Sequence, residues 1–265
     1  MLNESVIRKH LSDIRNMDMA IHLLETTSST NDYFKNKKKT TQLEFCFAEE
    51  QTQGRGRLGR SWQAPKGANI IMSCRWLPPP HLISFSGLSS CISLSLIAAL
   101  KKFDLPSSLA CKWPNDLFYD HKKLAGILIE LYVEKGQINE IIIGIGLNVN
   151  MLHSSLIEPS LINQPWTSLQ MILNAPQDRN LIAALLIDSL ANYLHRFSEK
   201  GFLDFQDEWQ KYDYLKGKWV EFPQGNEIIS GMACGINSLG YLVIQKESGE
   251  VVACSAGEVL PVKLK

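Results

Sequence analysis

The spacing of hydrophobic and polar residues changes several times along the chain, and each change predicts an element. Residues 4–16 have the period of a short amphipathic helix, and AIHLLE (20–25) reads as a strand. In the TTSSTND stretch that follows, Ser28, Ser29 or Thr30 can cap a helix. That helix is expected to run through Tyr33 and Phe34 to Lys37-Lys38-Lys39, where solvated cations would offset the negative end of its dipole. LEFCFAEE (43–50) and ANIIMSCRW (68–76) are predicted strands, and the stretch between them has neither period. After Pro78-Pro79-Pro80, residues 83–102 form the longest apolar helical candidate, with Leu88, Ile92, Ser95, Leu96, Ala99 and Leu100 on its core face. LACKWPND (109–116) is a strand running into a turn, and 124–133 and 138–150 are β-branched strands joined by a tight turn at 134–137. Helical patterns follow at 167–174, 179–199 and 201–213. Beyond Lys216-Gly217 the pattern becomes short alternating strands with glycine-rich turns, which predicts a small β-barrel. The fold class is therefore α+β: a mixed β-sheet flanked by helices over 1–216, and a barrel over 217–265.

Composition narrows the picture. A chain of 265 residues with 45% hydrophobic and 20% charged residues can bury a sizeable core, and its length suits one large domain with a small appendage. Its 27 Lys+Arg balance 27 Asp+Glu, which argues against a protein that coats nucleic acid. No period of roughly 20–50 residues marks a repeat architecture. The six cysteines are scattered without metal-ligand spacing and read as small buried hydrophobes of a reduced compartment. The first twenty residues lack an apolar signal core, and the most apolar run, Leu88–Leu100, contains four serines and is too short to span a bilayer. A cytoplasmic protein without membrane or nucleic-acid partners is expected.

The sharpest local feature is GRGRLGRSWQAPKGAN (54–69): Gly54, Gly56 and Gly59 interleaved with Arg55, Arg57 and Arg60, and no acid from Gln51 to Cys74. Its spacing satisfies GxGxxG and nearly satisfies a P-loop. Both need a helix to begin at once so that its amides can bind phosphate, whereas Trp62-Gln63-Ala64-Pro65 follows here. A flexible RNA-binding segment is a second reading, but such segments act through accumulated charge and this one stands alone in a neutral chain. A third is a lid, in which glycines let the backbone fold over a ligand and arginines supply planar donors to phosphate oxygens. Trp62 is then either a core aromatic or a plate that stacks on a purine.

A second constellation lies in KWPND (112–116). The proline turn presents Asn115 and Asp116 after Lys112, and a hairpin would bring Lys112, Asp116 and Lys123 to one end of a sheet around an anionic ligand. GIGLNVN (144–150) adds glycines that permit close backbone approach, and Asn148 as donor and acceptor.

SSTND, EEQTQGRGRLGRSW, KWPNDLFYDHKKLAGILIE and IGIGLNVN, in this order and spacing, closely resemble the biotin protein ligases, over nearly the whole chain. The resemblance implies the class II synthetase-like fold of biotin and lipoate ligases, with an SH3-like β-barrel at the C-terminus. It implies a two-step reaction: biotin and Mg-ATP give biotinyl-5′-AMP and pyrophosphate, and a lysine of a biotin carboxyl carrier protein then takes the biotinyl group. Biotin contacts are implied for Ser29, Thr30, Asn31, Gln51, Arg55, Gly56, Arg57 and Lys123, and nucleotide contacts for Arg57, Arg60, Trp62, Lys112, Asn115, Lys123 and Asn148. Lys123, Asp116 and Arg57 are the implied catalytic residues, with Mg²⁺ arriving on ATP and no metal site assigned to the chain. Some relatives carry an N-terminal DNA-binding domain; the 28 residues before Ser29 are too few for one, so a ligase without a repressor role is expected, with homodimerisation allowed. A lipoate ligase or octanoyltransferase is the nearest rival. The latter needs a cysteine beside a lysine, and the adjacent Cys111 and Lys112 face opposite sides of a strand.

Overall fold

The computed structural model describes residues 1–261 except 13–17, 36, 106, 154–163 and 226. Seven strands form one mixed sheet: β1 (Met19–Thr27), β2 (Leu43–Gln51), β3 (Ile70–Trp76), β4 (Leu109–Lys112), β5 (Asp116–Tyr119), β6 (Lys122–Glu134) and β7 (Gln137–Leu147). Their order is β1-β2-β3-β7-β6-β5-β4; β1 and β2 are parallel and the other pairs antiparallel. Alternation splits the sheet into two working faces. Phe45 and Phe47 of β2, and Ile141, Ile143 and Ile145 of β7, turn into the main core beneath α1 (Glu4–His10), α3 (Leu88–Leu100) and α5 (Arg179–Lys200). Cys46 and Ile142 point the other way, onto Phe34 of the short helix α2 (Thr30–Phe34). Ser73, Arg75, Gly144 and Gly146 fall on that second face by parity, and there the cleft forms.

Two tight turns set the register on the β4–β7 side. Asp120-His121 and Lys135-Gly136 all take positive φ, the geometry of two-residue hairpin turns, and join β5 to β6 and β6 to β7. β5 was not expected from the sequence: four residues show too little alternation, and its identity rests on pairing with both neighbours.

The N-terminal helix is shorter than expected. It ends at His10, with Leu11 extended, and the rest of the expected span falls partly on 13–16, outside the described residues. α2 also stops early, so Lys37-Lys38-Lys39 is not a helix end. Instead, the buried Arg75 guanidinium donates to the Lys37 carbonyl at 2.9 Å and the Lys38 carbonyl at 3.0 Å, and pairs with Glu44 Oε2 at 2.7 Å. With the Phe34 carbonyl at 3.4 Å, four backbone and side-chain acceptors surround this buried cation and outcompete continued helix here. α4 (Leu169–Leu173) and α6 (Gln206–Gln210) complete the helices; a 3₁₀ turn at Phe202–Phe205 precedes α6 where a single helix over 201–213 was expected.

The C-terminal strands β8 (Trp219–Gln224), β9 (Glu227–Ile236), β10 (Leu242–Gln245), β11 (Val251–Cys254) and β12 (Leu260–Pro261) form a separate antiparallel sheet, ordered β11-β10-β9-β8-β12. Trp113 docks it to the larger sheet: its Nε1 donates to the Gly240 carbonyl at 3.0 Å, and its ring lies 6.2 Å from that of Phe222. Residues 262–265 of the expected barrel lie outside the described residues. Five cysteines are buried as expected, but Cys234 is exposed because its strand turns that side to solvent. No described helix is long and apolar enough to cross a membrane.

Candidate active site

The second face of the large sheet, α2 and the glycine-arginine segment line a single cleft. Its floor is made by what is missing from β6 and β7. Gly126 and Gly146 are register partners, and a Cβ on Gly146 would lie 2.3 Å from Trp62 Cε2. A Cβ on Gly144 would lie 2.6 Å from Asn31 Oδ1. Three glycines in otherwise β-branched strands thus seat one aromatic and one amide; their alternation at 144 and 146 was the sequence signal for this floor.

One end of the cleft is polar and buried. Gln51 Oε1 accepts the Thr30 amide at 2.7 Å and lies 3.1 Å from Thr30 Oγ1. Asn31 Oδ1 lies 2.5 Å from Ser73 Oγ, and Asn31 Nδ2 donates to Glu130 Oε2 at 2.6 Å. Ser29, Thr30 and Asn31 are all buried at the N-terminus of α2, with Ser29 in the cap position. Ser73 and Glu130 were missed by sequence reasoning, because a serine inside a strand and a lone acid on a long hairpin carry no local signal.

The other end is cationic. Lys123 Nζ stands 2.8 Å from Asp116 Oδ1 and 5.6 Å from the centre of the Trp62 ring. Asp116 pairs across the sheet with Gly126, three residues beyond Lys123, and regular alternation would put Lys123 and Gly126 on opposite faces. A bulge at Leu124 adds one residue and turns Lys123 back to the cleft side. Arg57 donates to Asn115 Oδ1 at 3.2 Å and to the Gly257 carbonyl at 3.0 Å, and burial works to lower its pKa. Trp62 Nε1 is buried with no hydrogen-bond partner among the described residues.

The glycine-arginine segment is folded rather than open. Trp62 N–H donates to the Gly54 carbonyl at 2.9 Å and Gly56 N–H to the Arg60 carbonyl at 2.7 Å, closing a narrow loop with a 3₁₀ tip at Arg57–Gly59. Of the residues expected at the site, Ser29, Thr30, Asn31, Gln51, Arg55, Gly56, Arg57, Trp62, Asn115 and Lys123 line the cleft. Arg60 points outward to Glu258. Lys112 sits behind the wall, 5.5 Å over the Phe118 ring, where burial pushes its ammonium pKa down. Asn148 is buried below the floor and donates to the Thr167 carbonyl at 3.0 Å. Cys111 is fully buried, and its thiol is pushed far up by desolvation, the opposite of an activated nucleophile. Among the described residues no group of three or more His, Cys, Asp or Glu is placed to hold a metal ion.

The chain as a whole is similar to known proteins. Residues 23–148 fit the model of the biotin/lipoate A/B protein ligase family, and residues 217–260 that of the biotin protein ligase C-terminal domain. The bifunctional ligase/repressor BirA of Escherichia coli K12 is 34% identical over 241 residues, spanning 91% of this chain and 73% of BirA. The chain belongs to the biotin protein ligase family. Within the family, a biotin–[acetyl-CoA-carboxylase] ligase of Paracoccus denitrificans is 28% identical over 88% of this chain and 98% of its own. The ligase of Aquifex aeolicus, solved in complex with biotin and ATP, superposes with a TM-score of 0.78 at 28% identity, covering 91% of this chain and 97% of that one.

Proposed function

We propose that the protein is an ATP-dependent biotin protein ligase that forms biotinyl-5′-AMP and transfers the biotinyl group to a lysine of a biotin carboxyl carrier protein. The observation that carries the reading is the cleft itself, a buried polar end joined by a glycine floor to a cationic end. Biotin offers the matching pair of chemistries: a ureido ring for Thr30, Asn31 and Gln51, and a carboxylate to be delivered to Lys123 and Arg57.

In the first step a biotin carboxylate oxygen attacks the α-phosphorus of ATP, the bond to the β-phosphate breaks, and pyrophosphate leaves. Charge on the α-phosphate oxygens grows on the way, and Lys123, paired with Asp116, and Arg57 are assigned to offset it. Mg²⁺ enters with ATP as part of the substrate. Gly126 and Gly146 make room for the Trp62 indole in the cleft, and Trp62 is assigned the adenine as a stacking plate, its Nε1–H left as a donor for an acceptor on the ligand. In the second step an uncharged acceptor amine attacks the acyl carbon, the acyl–phosphate C–O bond breaks, AMP leaves and the surplus proton of the amine passes to solvent. No enzyme nucleophile is needed, because the mixed anhydride is already activated; the chain's task is to orient it and keep water away. Residues 1–216 are assigned the chemistry and 217–265 the closing of one side through Gly257.

Biotin-dependent exchange of labelled pyrophosphate into ATP tests the reading; its absence with Mg²⁺ present overturns it. Lys123→Ala is expected to abolish the exchange, and near-normal single-turnover adenylation would remove Lys123 from its assigned role.

A further inference from the structure

The three lid arginines are held by different parts of the molecule. Arg57 turns to Asn115 and Gly257, and Arg60 to Glu258, so both tie the loop to the side where the C-terminal sheet sits. Arg55 crosses to the opposite wall. Its Nη1 lies 2.7 Å from Asp32 Oδ2 and its Nη2 2.7 Å from Asp32 Oδ1, a two-pronged pairing of guanidinium on carboxylate. Its Nη2 is also 3.5 Å from Glu130 Oε1, and the other oxygen of Glu130 holds Asn31. Lys35 also pairs with Asp32, through the Oδ1 that Arg55 Nη2 contacts.

The loop has little else to hold it down on this wall. Its backbone hydrogen bonds are internal, and Leu58 at the tip is 73% exposed. Gly54, Gly56 and Gly59 leave it free to pivot. Asp32 lies outside the lining of the cleft, and its contacts among the described residues include Arg55 and Lys35.

We propose that Asp32, backed by Glu130, is a positioning residue that latches the lid through Arg55, keeping residues 54–60 closed and setting how long the acyl-adenylate is retained. The latch rests on the ligase reading for its consequence, though its geometry does not. The Arg55 guanidinium holds the Asp32 carboxyl below the usual carboxylate range, and Arg55 is correspondingly raised, so both stay charged at neutral pH. Side-chain exposures of 38% for Arg55 and 23% for Asp32 make the pair sensitive to salt.

The test follows release of preformed biotinyl-AMP from the full chain under an unlabelled chase. Asp32→Asn is expected to release it ~3- to 10-fold faster, the range set by a half-exposed bidentate pair. Asp32→Glu should recover most of the retention, and high salt should speed release from the unmodified protein by a larger factor than from Asp32→Asn. In an Arg55→Ala background Asp32→Asn should add nothing, because both ends of one contact are already lost. Release as slow as from the unmodified protein, or an equal effect of Asp32→Asn with and without Arg55, overturns the latch. A second measurement needs no reaction: trypsin should cut after Arg57 and Arg60 faster in Asp32→Asn, and an unchanged rate overturns the latch. If the unmodified protein makes no biotinyl-AMP, the ligase reading falls, while the trypsin result still decides whether Asp32 holds the lid.

Discussion

Residues 144 and 146 of β7 project to the same face, and neither carries a side chain, which makes a pair of single-methyl insertions a test of how the cleft is divided. A Cβ at 144 would find Asn31 Oδ1 at 2.6 Å where ordinary contact begins at 3.4 Å, so the amide must give way by about 0.8 Å. Asn31 is held at both ends, by Ser73 at 2.5 Å and Glu130 at 2.6 Å, and cannot swing without breaking one of them. A neutral hydrogen bond is worth about 0.5–1.5 kcal/mol and one to a charged group about 1.5–3, so Gly144→Ala should cost roughly 2–3 kcal/mol of biotin recognition, about 30- to 150-fold. A Cβ at 146 would instead meet Trp62 Cε2 at 2.3 Å and Cζ2 at 2.4 Å and evict the indole. Losing an aromatic stacking partner is worth about 0.5–1.5 kcal/mol, so Gly146→Ala should raise the KM for ATP by roughly 2- to 12-fold. The assay is pyrophosphate exchange with each substrate varied against saturating amounts of the other, alongside thermal melts to confirm folding. Gly144→Ala should move the biotin KM and Gly146→Ala the ATP KM. If both variants move both constants equally, or neither moves its own, the division of the cleft is wrong.

Arg57→Gly is expected to speed release of biotinyl-AMP more than it weakens selection of biotin, since it cuts the ties to Asn115 and Gly257; an unchanged release rate in a chase experiment would refute this. Arg75→Met should destabilise the fold by about 3–5 kcal/mol in urea titrations, because it strands a buried carboxylate. Burial works to raise the Glu44 pKa, but the Thr40 and Thr41 amides and Arg75 hold it below its ordinary 4.5. A depressed folded pKa means this contribution is complete above about pH 4.5 and fades on further acidification, so the gap between Arg75→Met and the unmodified protein should narrow at acid pH. Of the six thiols, only Cys234 is exposed, whereas burial pushes Cys46 up to about 12. Ellman's reagent should therefore label one thiol quickly in the native protein and all of them after unfolding.

What the sequence determined by itself is whatever depends on neighbours a few residues apart. Short apolar and β-branched runs marked β2, β3, β6 and β7, the helical period marked α3 and α5, and glycines spaced through β-branched or arginine-rich segments marked the floor and the lid. The short motifs also placed most of the expected site residues around one cleft. The tertiary structure alone decided the rest, because the deciding partners are far apart along the chain. β5 exists through pairing on both sides, and a bulge at Leu124 turns Lys123 toward Asp116. A buried arginine ends the lysine segment's helix by claiming its carbonyls. The lid's arginines find their acceptors 23 residues back at Asp32 and 200 residues on at Gly257. No local period encodes such pairings; they become favourable only when folding has already brought the two walls of the cleft to hydrogen-bonding distance.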